Sequence, residues 1–207
     1  PQDRSSAASD VYKRQGLSLV RDRLCLLQIA FSENECHFVK FDRDSLSGKV
    51  KPTNLVNLLS DENIKKIFHY ARFDLAMIKK FLGVEIKNMF CTKIASKLVR
   101  TYTDKHGLKE LCKEMLNVDL NKSSQSSDWS AKELSKDQLK YASHDVIYLF
   151  RLKKKLEEMI VREDRKELLQ KTFDFLPSRV KLDLAGWNDT DISVSYTHLT
   201  LPTNGLG

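Results

Sequence analysis

Residues 64–83 read IKKIFHYARFDLAMIKKFLG, and they decide the fold. The first six residues, 64–69, predict a short strand, because a compact apolar run at this length fits a strand better than a helix. Residues 74–82 predict a helix that Gly83 closes as its C-terminal cap. A strand that feeds directly into a helix is the building step of an α/β sheet. In open α/β sheets, ligands gather where strands end and helices begin. That junction here is His69-Tyr70-Ala71-Arg72-Phe73-Asp74. Asp74 is its chemically pointed residue, although a carboxylate in a first helical turn is also what a plain N-terminal cap looks like.

The elements on either side extend the pattern. Residues 24–31 (LCLLQIAF) predict a buried strand, and residues 36–41 (CHFVKF) alternate as its neighbour across the turn SENE. Pro52 and Thr53 open a helix through Leu59. A short extended piece at 88–91 precedes helices at 92–101 and 108–116. The polar, aperiodic stretch 121–130 (NKSSQSSDWS) is a loop. Ser135 and Gln138 form a capping-box pattern that starts the longest helix, over 136–159. A charged helix follows and stops near Pro177. Strands come early and helices later, so one α/β domain with a helical C-terminal half is expected.

The bulk numbers narrow the function classes. The chain has 207 residues, 41% apolar and 30% charged, a globular balance with enough length for one core. No apolar run reaches the roughly 18 residues of a membrane span, so no membrane partner is expected. The four cysteines form no CxxC pair, which argues against a zinc or redox motif and for a reducing, cytoplasmic setting. A net charge of +7 favours a polyanionic partner.

The two ends stand apart. Residues 5–15 (SSAASDVYKRQ) back-translate to a strand resembling a transposase adaptor of sequencing libraries. Residues 193–203 (SVSYTHLTLPT) back-translate to its reverse complement in another frame. The expected organisation is therefore a non-native segment over 1–15, a native domain over 16–192 and a non-native tail over 193–207. Both ends are set aside from fold reasoning.

Two further constellations carry chemistry. Tyr141 and Asp145 are spaced i, i+4 on the long helix and share a face. The loop holding Lys122, Gln125, Asp128 and Trp129 combines a cation, an amide, a carboxylate and an aromatic. Such a set suits phosphates and base stacking, and it suits an ordinary surface loop equally.

HYARFD, SSQSSDW and YASHD, in this order, resemble the second and third motifs of the DEDD superfamily of 3′–5′ exonucleases. The version is that of ribonuclease D, and Tyr141 marks the tyrosine subclass. The resemblance covers nearly all of 16–192. It implies a ribonuclease H-like mixed sheet flanked by helices. It also implies hydrolysis of phosphodiester bonds from the 3′ end of single-stranded RNA, with two Mg²⁺ or Mn²⁺ ions roughly 3.5–4 Å apart on four acidic residues. Transfer-RNA precursors and single-stranded DNA are the substrate classes it leaves open. Carried over residue by residue, Asp74 and Asp145 match metal ligands and Tyr141 the residue that orients the attacking water. Arg72, Lys122, Gln125 and Trp129 match substrate contacts, while His69 and Asp128 have supporting roles.

One motif is missing. The family's Asp-x-Glu precedes a Gly-Leu, which Gly16-Leu17 matches, so its carboxylates fall on Val11 and Lys13. Asp10 is one residue out of register, which on a strand means the opposite face. The first strand is thus expected to be lost or replaced and activity impaired. The alternative is a non-catalytic nucleic-acid-binding domain that keeps the exonuclease fold.

Overall fold

The computed structural model describes residues 6–12, 19, 23–41, 52–120 and 133–187, the first group by backbone alone. Strands β1 (Ser6–Tyr12), β2 (Leu26–Ser32) and β3 (Glu35–Lys40) come first. They are followed by α1 (Thr53–Ser60), β4 (Lys65–Phe68), α2 (Ala71–Leu82), β5 (Met89–Cys91), α3 (Thr92–Val99) and α4 (Leu108–Leu116). Helices α5 (Lys136–Ile147), α6 (Leu149–Arg162) and α7 (Lys166–Leu184) complete the described elements.

The sheet runs β3-β2-β1-β4-β5. β1 is antiparallel to β2 and parallel to β4, and β4 is parallel to β5. The mixed α/β class and the helical second half are as expected. Ser6–Tyr12 occupies the central position of the sheet, so the expected first strand is replaced by a segment of the first fifteen residues. The physical reason is backbone hydrogen bonding. Without a strand between them, β2 and β4 would each present an unpaired row of N–H and C=O groups inside the sheet, and any extended segment in reach relieves that cost. Position 10 pairs with Gln28 and position 11 with Leu27.

Three other boundaries differ from the sequence reading. Helix α2 begins at Ala71, three residues before Asp74. The expected long helix divides at Tyr148, which is the C-cap of α5 and the N-cap of α6 at φ −78°, ψ −12°. The two halves serve different neighbours: α5 packs on β2 and β1, and α6 packs on α3, α4 and β4. Helix α7 runs through Pro177 instead of stopping there. Leu169, Phe173, Leu176 and Val180 bury one stripe of α7 in the core, and that burial outweighs the one backbone hydrogen bond a proline removes.

One main core covers both faces of the sheet, with Leu27 and Ile29 on one and Ile67 and Phe90 on the other, and joins them to the helices through residues such as Met77, Leu111, Leu149 and Phe173. A smaller cluster lies on the other side of β2. There Leu26 meets Ala142 of α5, with Phe38, Leu134 and Tyr141 packed around them. Among the described residues, no helix is long and apolar enough to cross a membrane.

Candidate active site

The strand-to-helix junction is tightly built. Tyr70, the N-cap position of α2, takes the left-handed conformation at φ 66°, ψ 47°. Glycine adopts this readily, while an aromatic residue does so at a cost of about 1 kcal/mol or more. The residue is 38% exposed, and the Lys93 ammonium sits 4.0 Å from the ring centroid. No side-chain cap closes the start of α2. Instead, the Cys91 Sγ accepts the Ala71 N–H at 3.4 Å. Burial raises that thiol's pKa, so it stays a neutral packing group. Cys91 thus has a structural use that its sequence context did not reveal.

His69 is held beside this turn. Thr92 has one hydroxyl hydrogen and donates it to the Phe68 carbonyl at 3.2 Å. The His69 Nδ1–H therefore donates to the Thr92 Oγ1 at 2.9 Å, which fixes the Nδ1–H tautomer. Burial, with the Lys93 charge next in importance, pushes the imidazole's pKa down to about 3. It is neutral at any ordinary pH.

Asp74 lies in the first turn of α2, past the cap position, and is only 3% exposed. A buried carboxylate in a place where the helix N-terminus favours negative charge is a functional-site signal more than a surface cap. Arg72, expected to touch substrate, forms an ion pair with Asp183. Its Nε donates to Asp183 Oδ2 and its Nη2 to Asp183 Oδ1, each at 2.7 Å. Asp183 also accepts from Arg179 Nη2 at 2.7 Å. This cluster pins the end of α7 to the start of α2, a long-range partnership that no local pattern encodes.

Helix α5 carries the second part of the site. Its capping box is complete: Gln138 N–H donates to Ser135 Oγ at 3.2 Å, and Ser135 N–H to Gln138 Oε1 at 2.8 Å. Ala142 and Val146 form its buried seam. Tyr141, one position before that seam, packs against the Leu26–Ala142 cluster. Asp145, one turn on, lies close enough to Cys112 of α4 to influence it. Burial first, and the Asp145 charge second, push that thiol up to about 12.

Helices α2 and α5 both pack against β1. The topology thereby brings the elements bearing Asp74, Tyr141 and Asp145 to one central strand. Lys122, Gln125, Asp128 and Trp129 lie outside the described residues. Among the described residues, no group of three or more His, Cys, Asp or Glu side chains is placed to hold a metal ion. Two hard carboxylates of an expected four do not make a two-ion centre, so the described residues do not fit the full metal set.

Comparison with known proteins completes the picture. Residues 14–161 match the 3′–5′ exonuclease family. Ribonuclease D of Desulfotalea psychrophila is 33% identical over 155 residues, covering 74% of this chain and 40% of that protein. DNA polymerase I of Aquifex aeolicus is 34% identical over 153 residues, covering 73% of this chain and 25% of that protein. This chain thus spans well under half the length of these curated relatives. Among solved structures, Brucella melitensis NrnC bound to pGG is 46% identical with a TM-score of 0.86, covering 94% of this chain and 92% of that one. The same protein has been solved with bound Mg²⁺. The chain belongs to the 3′–5′ exonuclease family, in its ribonuclease D-like branch.

Proposed function

We propose that residues 16–192 are the nuclease domain of a 3′–5′ exoribonuclease acting on single-stranded RNA ends, flanked by non-native segments at 1–15 and 193–207. The observation that carries this reading is the convergence of α2, with its buried Asp74, and α5, with Tyr141 and Asp145, on β1. Asp74 and Asp145 are the ligands offered to divalent metal. A free phenol ionises only near pH ~10, so the role proposed for Tyr141 is to orient water by hydrogen bonding and not to act as a base. The pGG and Mg²⁺ found with Brucella melitensis NrnC support a phosphate-bearing substrate and a hard cation. Lys122, Gln125 and Trp129 are proposed substrate contacts. The cytoplasm, a reducing compartment, fits the four free cysteines.

In this chain the reading implies impairment, because Val11 and Lys13 stand where carboxylates belong. A cation in a metal site repels the ion it should hold. That same fact favours a second reading, a nucleic-acid-binding domain without catalysis. One experiment separates them. A 5′-labelled single-stranded RNA is incubated with Mn²⁺ and either this chain or a restored chain, in which residues 1–15 are replaced by an apolar strand that includes Val11→Asp and Lys13→Glu. A ladder shortening from the 3′ end in the restored chain alone is the expected result. Binding without cleavage in both would establish the second reading.

A further inference from the structure

Strands β4 and β5 run parallel and end level, with Phe68 paired to Cys91. Each leads straight into a helix, α2 at Ala71 and α3 at Thr92. The carboxyl ends of parallel strands are where open α/β sheets bind ligands. Tyr70 and Lys93 stand together on that edge. Tyr70 holds a left-handed backbone at φ 66°. The fold alone gives no reason for an aromatic residue in that conformation, because glycine adopts it with less strain. The conformation does not bury the side chain either, since Tyr70 is 38% exposed. Strained residues that persist gather at ligand sites. The Lys93 ammonium lies over the Tyr70 ring, 4.0 Å from its centroid. Its charge is felt at His69 as well, second to burial in lowering that imidazole's pKa. Asp74 follows one helical turn after Tyr70.

We propose that Tyr70 and Lys93 form a nucleotide subsite at this edge. The Tyr70 ring stacks on the base of the 3′-terminal nucleotide of a single strand, and the Lys93 ammonium pairs with a phosphate of the same strand. The inference rests on the exonuclease reading above and adds to it two residues that hold the end of the strand. Every base has a π-face, so an aromatic platform accepts any of them. An ammonium on a flexible stem is a point charge that suits phosphate without reading sequence. The pair therefore grips a strand end by its general chemistry, as an enzyme that shortens RNA of any sequence requires. The left-handed turn keeps the ring at the strand–helix junction, where it is available for contact instead of packing.

The test measures binding of a 5′-labelled single-stranded RNA to this chain in EDTA, where no metal-dependent cleavage occurs. The same RNA with an abasic 3′-terminal nucleotide is measured beside it. The abasic RNA should bind the parent about tenfold more weakly, the scale of one base–aromatic stack. Tyr70→Gly should weaken the intact RNA by about the same factor and lose nothing further with the abasic one. The same substitution relieves the left-handed strain and should raise the melting temperature by about 2 °C, so its lost affinity is not lost fold. Tyr70→Phe keeps the stack and should bind within about twofold of the parent. Lys93→Met should reduce the slope of log affinity against log salt by about 0.7, the share of one phosphate contact on a single strand. An equal abasic penalty in the parent and in Tyr70→Gly would overturn the subsite, whatever the melting shift, and leave the exonuclease reading intact. An unchanged salt slope in Lys93→Met would remove Lys93 from it. If the parent binds neither RNA, the nucleic-acid reading itself fails and the subsite falls with it.

Discussion

Two buried polar side chains, Arg100 and Gln28, are both 0% exposed and differ completely in their surroundings. Arg100, at the end of α3, is fully served. Its Nη1 donates to Ser96 Oγ at 3.1 Å and to the Lys105 carbonyl at 2.8 Å. Its Nη2 pairs with Glu114, and its Nε reaches Glu114 Oε1 at 3.3 Å. Ser96 Oγ is also hydrogen-bonded to His106 Nδ1 at 2.8 Å, and Tyr102 donates to Glu114 at 2.6 Å. The Tyr102 hydrogen bond, followed by the Arg100 contact, holds the Glu114 carboxyl below its usual pKa. Burial first, and the Arg100 charge next, lower the His106 pKa. Gln28 has no side-chain hydrogen-bond partner among the described residues. Every member of the Arg100 network lies between residues 96 and 114, whereas Gln28 is flanked by β1 and β3. A polar group can be buried cheaply only where the sequence supplies its partners.

The largest expected effect is at the candidate site. In the restored chain, Asp74→Asn or Asp145→Asn should cut exonuclease activity by more than about 100-fold, since lost metal ligands cost more than lost supporting groups. The melting temperature should barely move. Full activity in either variant would remove the metal assignment. In the Arg100 network, Arg100→Met should cost about 3 kcal/mol in urea unfolding. It leaves the Lys105 carbonyl and the Ser96–His106 pair without their donor. A loss below ~1 kcal/mol would mean that the network is decorative and the contrast with Gln28 empty.

A pH titration of stability probes the junction beside the site. His69 has a folded-state pKa near 3 against an ordinary value of roughly 6.5, so the unfolded chain binds more protons between those limits. Its contribution is fully present above about pH 6.5 and is lost as pH falls towards 3, at a slope of up to about 1.4 kcal/mol per pH unit. His69→Asn keeps an N–H for Thr92 and should flatten that part of the curve. An unchanged curve would show the imidazole to be solvated. The smallest effect belongs to Gly83. Its backbone at φ 72° is left-handed, and an added Cβ would meet nothing within 4 Å. Gly83→Ala should therefore cost about 1 kcal/mol from backbone strain alone, read as a small fall in melting temperature.

Much of the fold was legible locally. The capping box at Ser135 and Gln138, the left-handed Gly83 and the whole of α4 follow from short-range signals, and each appears where the pattern placed it. Asp74 and the Tyr141–Asp145 pair were legible as motifs. Tyr70 was not, because no local rule predicts a left-handed aromatic residue, and the closest signal was its place between a strand and a helix. The ion pair of Arg72 with Asp183 was not legible, because the partner lies 111 residues away.

What the sequence determined by itself is thus the set of interactions closed within a turn or a hairpin: caps, alternation, helical faces and the order of the motifs. The tertiary structure decided the rest. It placed Ser6–Tyr12 between β2 and β4, divided the helix at Tyr148 and carried α7 through Pro177. It also showed that Arg72 belongs to Asp183 and that Gln28 is without a partner among the described residues. Each of these depends on partners distant in sequence. Their energies come from hydrogen bonds and burial that exist only once the chain has closed on itself.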